Sequence, residues 1–189
     1  MTKKILITGA NGQLGHEMRN ALKGNNRFEC IFTDVAELDI GKAEAVKQII
    51  ADNHIDYIVN CAAYTQVDKA EDNAELCKKI NTDAVENLAR AAADYGARMI
   101  HISTDYVFNG RGYSPYTEDM PPDPQSVYGS TKLEGEKILT DICPESIIIR
   151  TAWLYSPYGN NFVKTMLHLG EEREELSVVA DQIGTPTCA

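Results

Sequence analysis

Apolar runs of strand length alternate along the chain with amphipathic stretches of helix length. Residues 4–8 (KILIT) read as a strand, residues 12–23 as a helix and residues 28–33 as a second strand. Residues 42–53 place Ala45, Val46, Ile49 and Ile50 at helical spacing, and residues 56–60 return to strand. A long helix is predicted over 74–95, with Leu76, Ile80, Val85, Leu88 and Ala92 as its buried face. Strand 99–103, helix 127–143 and strand 146–150 complete the alternation. Near-continuous apolar strands separated by helices predict an α/β fold, a Rossmann-like doubly wound parallel sheet covered on both faces.

Two stretches break the rhythm. Residues 109–125 hold clusters of Gly and Pro (Gly110-Arg111-Gly112, Pro115, Pro121-Pro122-Asp123-Pro124) and predict a long loop over the sheet edge. Beyond Arg150 comes a Tyr/Pro/Gly/Asn-rich loop, then a helix near 161–169 and a strand from Leu176. The expected division is a dinucleotide-binding domain over 1–155 and the incomplete start of a small substrate-binding lobe over 156–189.

Composition changes this picture little. The 43% hydrophobic and 24% charged content is that of an ordinary globular chain, with no apolar run near the ~20 residues of a membrane span. A net charge of −10 speaks against a nucleic-acid backbone as partner. Five cysteines (Cys30, Cys61, Cys77, Cys143, Cys188) form no CxxC pair, which argues against a disulfide framework or structural zinc and for a reducing cytoplasm. The histidines His16, His54, His101 and His168 show no ligand spacing, so no metal site is expected and each reads as a surface or packing residue.

Candidate chemistry begins at Gly9-Ala10-Asn11-Gly12-Gln13-Leu14-Gly15, which follows a strand directly and opens a helix. Gly9 permits the tight turn, Gly12 lets backbone approach a pyrophosphate, and Gly15 lets helix and strand pack closely. The helix N-terminus then offers free N–H groups to phosphates. Asp34 ends the second strand, where a carboxylate accepts ribose hydroxyls and repels a 2′-phosphate. A solvated turn aspartate would fit equally well there. Asp39 and Ile40 lie in the loop expected to cover an adenine. Ala62, Ala63, Tyr64 and Thr65 follow the third strand, where small side chains would let a cofactor approach.

Tyr128 and Lys132, four positions apart on a helix, share one face. A neighbouring ammonium lowers the pKa of a phenol toward working pH, which suits Tyr128 to proton donation. Ser103 and Thr104 end the fourth strand, where a hydroxyl can bind a carbonyl oxygen. In this order the three features specify hydride transfer at a carbonyl or alcohol.

The motifs GANGQLG, NCAAYTQVDKAE (60–71), Asn81, HISTDYVF (101–108), YGSTK (128–132), RTAWLY (150–155), GNNF (159–162) and DQIGTPT (181–187) are similar to those of the extended short-chain dehydrogenase/reductases. Within that superfamily the chain resembles the dTDP-4-dehydrorhamnose reductase family along its whole length. The resemblance implies reduction of a dTDP-4-keto sugar by NADPH or NADH. It assigns proton donation to Tyr128, tuning and ribose binding to Lys132, and the sugar ketone to Thr104. Thr104, Asp105 and Trp153 match substrate-contacting positions, although Asp105 would also serve as a turn cap and Trp153 as core. Members of that family are longer, so the chain is expected to be a fragment of a longer gene product. The resemblance allows a homodimer. It leaves open another sugar-nucleotide epimerase or dehydratase, or a non-catalytic relative such as the regulatory subunit of methionine adenosyltransferase.

Overall fold

The structure is a computed structural model, and it describes residues 2–189. Five strands form one sheet: β1 (Lys3–Thr8), β2 (Phe28–Phe32), β3 (Tyr57–Asn60), β4 (Arg98–Thr104) and β5 (Ile147–Thr151). All neighbours are parallel, in the order β2-β1-β3-β4-β5. The order reverses between β1 and β3, so the carboxyl ends of these two strands flank a crevice where such sheets take ligands.

Right-handed crossovers require helices, and the chain supplies α1 (Gln13–Ala21), α2 (Ala43–Asn53), α3 (Val67–Asp72), α4 (Ala74–Lys78), α5 (Ala84–Tyr95) and α6 (Val127–Ile142). The main core lies on one sheet face. Leu6, Ile58 and Met99 meet Val46 and Ile50 of α2, Val85 and Leu88 of α5, and Leu139 of α6. On the other face Ile5, Ile7 and Val59 pack against Met18 of α1 and Leu22 just beyond its end. Helices therefore lie on both faces, as expected of a doubly wound sheet, and the second face is covered less fully at β5. Ile147 and Ile149 of β5 remain 56% and 43% exposed.

The helix predicted over 74–95 is not continuous. Between α4 and α5 the residues Lys79–Asp83 form a π-helical turn, so the side chains before and after it share no regular face. Val85, Leu88 and Ala92 are buried as expected, whereas Leu76 is 47% exposed. The break is stabilised by Asn81, which is buried and bonds both polar groups of the Tyr64 backbone: its Oδ1 accepts from the amide at 2.9 Å and its Nδ2 donates to the carbonyl at 3.1 Å. A polar side chain satisfied this way outweighs the lost helical regularity.

After β5 come β6 (Leu154–Tyr155), α7 (Phe162–Glu172) and β7 (Thr187–Cys188), with β6 and β7 paired in parallel. No strand begins at Leu176. Residues 173–186 lack regular structure, and the pairing is deferred to Thr187. Among the described residues no helix is long and apolar enough to cross a membrane.

Candidate active site

The glycine turn is fixed by close approach. Gly9 has a φ of 63°, and a Cβ there would lie 2.6 Å from the Ala62 nitrogen; a Cβ on Gly15 would lie 2.5 Å from the Gly9 carbonyl. Larger residues are excluded at both positions. Gly12 precedes α1 with extended backbone and no capping side chain, which leaves the N–H groups of the first turn open to an anion. Asp34 stands beside this turn. Its Oδ2 accepts from the Asn11 amide at 2.9 Å and its Oδ1 from the Val35 amide at 2.8 Å.

A cleft of about 470 Å³ opens here, lined by Gly9, Gly12, Asp34, Asp39, Ile40, Ala62 and Ala63 among others. Seven of the residues expected to face a cofactor therefore line this cleft. Asn11 meets it through Asp34, and Leu14 lies in the first turn of α1. Tyr64 and Thr65 do not line the cleft. Tyr64 is no small residue, and its ring packs near Tyr128 with Val67 and Cys77. Leu76, Lys79 and Ile80 line it instead, brought there by the π-helical turn that helical periodicity does not foresee.

Helix α6 starts where Ser126 accepts from the Gly129 amide at 3.0 Å and Glu71 accepts from the Val127 amide at 2.9 Å. Its glycines allow two close contacts. A Cβ on Gly129 would lie 2.2 Å from the Tyr106 carbonyl, and one on Gly135 would lie 2.3 Å from the Asn81 carbonyl. This packing buries Tyr128 and sets its phenol close to the Thr104 side chain. Burial pushes the phenol up to about 12, and the neighbouring Thr104 hydroxyl opposes that rise. Thr104 donates to Asp105 Oδ1 at 3.2 Å and accepts from the Tyr106 amide at 3.2 Å. Burial raises the Asp105 carboxyl as well.

Lys132 is 1% exposed, and its head does not turn to Tyr128. Its Nζ donates to the Ile102 carbonyl at 2.6 Å and lies 3.2 Å from His101 Nε2. Parallel register places Thr8, Asn60 and His101 side by side on β1, β3 and β4, and the three join Lys132 in one buried ladder. Asn60 Oδ1 accepts from Thr8 at 2.6 Å and from the Ala62 amide at 3.2 Å, so its NH₂ must face His101 Nδ1 at 3.0 Å. A neutral imidazole accepting at Nδ1 carries its proton on Nε2, toward Lys132. That arrangement suits an uncharged amine. Desolvation acts in the same direction and lowers Lys132 to about 8, against the opposing charge of Glu136. Glu136 is itself held by Arg150, whose Nε and Nη2 donate to it at 3.0 and 2.6 Å.

His101 and Asn60 were invisible as partners of Lys132 in the sequence. The available signal was a polar residue inside each otherwise apolar strand. Ser103, the other hydroxyl ending β4, is buried and has no hydrogen-bond partner among the described residues.

The model of the RmlD substrate binding domain family matches residues 3–189. The dTDP-4-dehydrorhamnose reductases of Aggregatibacter actinomycetemcomitans and Escherichia coli are 46% and 47% identical. The matches cover 97% and 98% of this chain, and 63% and 62% of theirs. The chain belongs to the RmlD family.

Two solved structures of dTDP-4-dehydrorhamnose reductases superpose along nearly all of this RmlD-family chain. That of Clostridium acetobutylicum gives a TM-score of 0.95 at 52% identity, covering 98% of this chain and 65% of its own. That of Bacillus anthracis, in complex with NADP, gives 0.96 at 44%, covering 100% and 66%. The chain thus spans less than two thirds of the curated relatives' length. A UDP-glucose 4-epimerase of Thermus thermophilus, 20% identical with a TM-score of 0.75, shares the fold.

Between β5 and β6, Trp153 adopts a φ of 51°, a left-handed conformation that a bulky residue holds only under constraint. Its indole meets Phe162 edge-on at 5.0 Å, and a Cβ on Gly184 would lie 2.2 Å from its Nε1. An apolar cavity of about 640 Å³ adjoins it, lined by Tyr155, Phe162, Met166, Leu167 and Ile183 among others. Trp153 therefore belongs to a second cavity, separate from the ladder that holds Lys132.

Proposed function

We propose that the whole protein reduces the C4 ketone of dTDP-4-dehydro-L-rhamnose to the alcohol of dTDP-L-rhamnose. The observation that carries this reading is the buried Tyr128 of α6, set close to Thr104 at the carboxyl end of β4, in the same sheet whose β1 and β3 ends hold the glycine-turn cleft. The tight turn that Gly9 and Gly15 permit, with the uncapped N-terminus of α1 after Gly12, fits a dinucleotide pyrophosphate. NADPH or NADH supplies the hydride when bound. Gly9, Asn11, Gly12, Gln13 and Leu14 hold the phosphates, and Asp34 accepts ribose hydroxyls. Asp39, Ile40, Ala62 and Ala63 wall the cleft, with Tyr64 and Thr65 behind them.

Thr104 orients the sugar ketone, and Tyr128 gives its proton to the oxygen as hydride reaches the carbon. Lys132 exchanges its Ile102 carbonyl for the nicotinamide ribose and then stands, charged, near the phenolate. Asp105 and Trp153 contact the sugar nucleotide. Asp34 by itself favours NADH; the NADP complex of the Bacillus anthracis relative supports acceptance of both. The reading places the protein in the cytoplasm, consistent with five free cysteines, and places the dinucleotide domain at 1–155 and the start of the substrate lobe at 156–189. A homodimer without nucleic-acid or membrane partners completes it.

Stoichiometric loss of nicotinamide absorbance on adding the keto sugar nucleotide tests the reaction. Product formed without cofactor consumption would point to an epimerase or dehydratase instead.

A further inference from the structure

Helix α1 carries the glycine turn at its N-terminus, and its outer side carries something else. Gln13, His16 and Asn20 recur at intervals of three and four, so they form one stripe. Every one of them grips the loop that leads into α7. Gln13 Oε1 accepts from Asn161 Nδ2 at 2.9 Å, and Gln13 Nε2 donates to the Leu154 carbonyl at 3.3 Å. His16 stacks on Tyr158 with ring centroids 4.4 Å apart, and Asn20 Nδ2 donates to the Tyr158 hydroxyl at 3.0 Å. The loop is shaped for this seat: Gly159, with a φ of 60°, would place a Cβ 3.2 Å from Gln13 Cγ.

Asn161 makes the connection to the small lobe. The same side chain that donates to Gln13 caps α7, its Oδ1 accepting from the Lys164 amide at 3.0 Å, and Nδ2 also donates to the Ser156 carbonyl at 2.9 Å. The next residue is Phe162, on which Trp153 rests. A continuous path therefore runs from the first residue of α1 through Asn161 and Phe162 to Trp153. The lobe is otherwise thinly held, since α7 contains no buried residue.

We propose that Gln13 and Asn161 are positioning residues that couple dinucleotide occupancy at the glycine turn to the placement of Trp153 and α7. The coupling rests on the dinucleotide reading of the turn. A phosphate on the open N–H groups of α1 draws on the residue whose side chain holds Asn161, so a bound dinucleotide settles the lobe before the sugar nucleotide arrives. Coupling of this kind needs two sites and an element that both of them bias, and α1 with its seated loop is that element.

Trp153 is the sole tryptophan of the chain and reports directly on the path. The probe is ADP-ribose, which fills the turn and the adenosine pocket but has no nicotinamide to quench an indole. Titrated into the chain, it changes Trp153 emission along the same isotherm that calorimetry gives for binding. Asn161→Ser keeps a cap for α7 and loses the reach to Gln13. It retains the calorimetric affinity within about twofold, well inside the tenfold that 1.4 kcal/mol represents, and loses most of the emission change. Gln13→Met, similar in length but without the amide, loses it too. In the longer protein both variants raise KM for the sugar nucleotide more than they lower kcat. Binding without an emission change in the parent chain would overturn the coupling, as would a change that survives in both variants. No calorimetric binding at all would overturn the dinucleotide reading, and the coupling with it.

Discussion

The two ends of α6 and the whole of α7 are both amphipathic helices, yet they are held in opposite ways. Eight residues of α6 are buried, and its glycines bring it within van der Waals limits of the Tyr106 and Asn81 carbonyls. Helix α7 buries none, and apolar side chains around it stay open, Leu167 at 66% and Ile183 at 90% exposure. One half of the molecule is specified by interlocking volume. The other hangs from α1 and from a few hydrogen bonds around Asn161. Chemistry that needs fixed distances belongs in the first, and recognition that adjusts to a ligand belongs in the second.

The largest expected effect falls in the dense half. Tyr128→Phe keeps the ring and its packing but removes the proton, so steady-state reduction by the longer protein should fall about 10²–10⁴-fold. Full activity in that variant would remove Tyr128 from its role.

One substitution made in both halves should then have opposite signs. Gly135→Ala forces a methyl group against the Asn81 carbonyl and should cost about 1–3 kcal/mol in urea unfolding. Gly170→Ala, with nothing within 4 Å of its Cβ, should favour α7 by about 0.5–1 kcal/mol, read as slower amide exchange in that helix. Equal signs would erase the contrast.

Between these magnitudes lies a pH effect. Lys132 is lowered from 10.5 to about 8 in the folded chain. Below about 8 both states carry the proton, and the full cost of burying the ammonium is present. Between about 8 and 10.5 only the unfolded chain keeps it, so this group's contribution to stability rises with pH. Lys132→Met should therefore gain on the order of 1–3 kcal/mol at neutral pH and lose that advantage toward pH 10. An advantage independent of pH would mean that Lys132 is not held against its charge. His101, lowered by burial, works at the other end: stability is lost as pH falls below 6.5, where the unfolded imidazole takes a proton and the buried one does not.

The contrast also explains what the sequence reveals. Strands were legible because burial on the sheet demands apolar runs, and the glycine turn because Gly9 and Gly15 have no room for a Cβ. Tyr128, Lys132 and Thr104 were legible as residue types. The ladder from Thr8 through Asn60 and His101 was not, because it depends on which strands become neighbours. Asn81 stands out in the sequence only as a family-like position inside the helix predicted over 74–95, and its bonds to the Tyr64 backbone reveal the π-helical break. In the lobe, periodicity placed α7 well, but with little buried there the segment from Leu176 lacked the packing that turns propensity into a strand.

Asp34 shows what a modest geometry accomplishes. Two backbone amides, one from the glycine turn and one from Val35, already hold its carboxylate, and a carboxylate has lone pairs beyond those two bonds. A ribose reaching it meets an acceptor whose rotamer is chosen in advance. The entropy of fixing that side chain is spent during folding, so the affinity at this end of the cleft is not diminished by it.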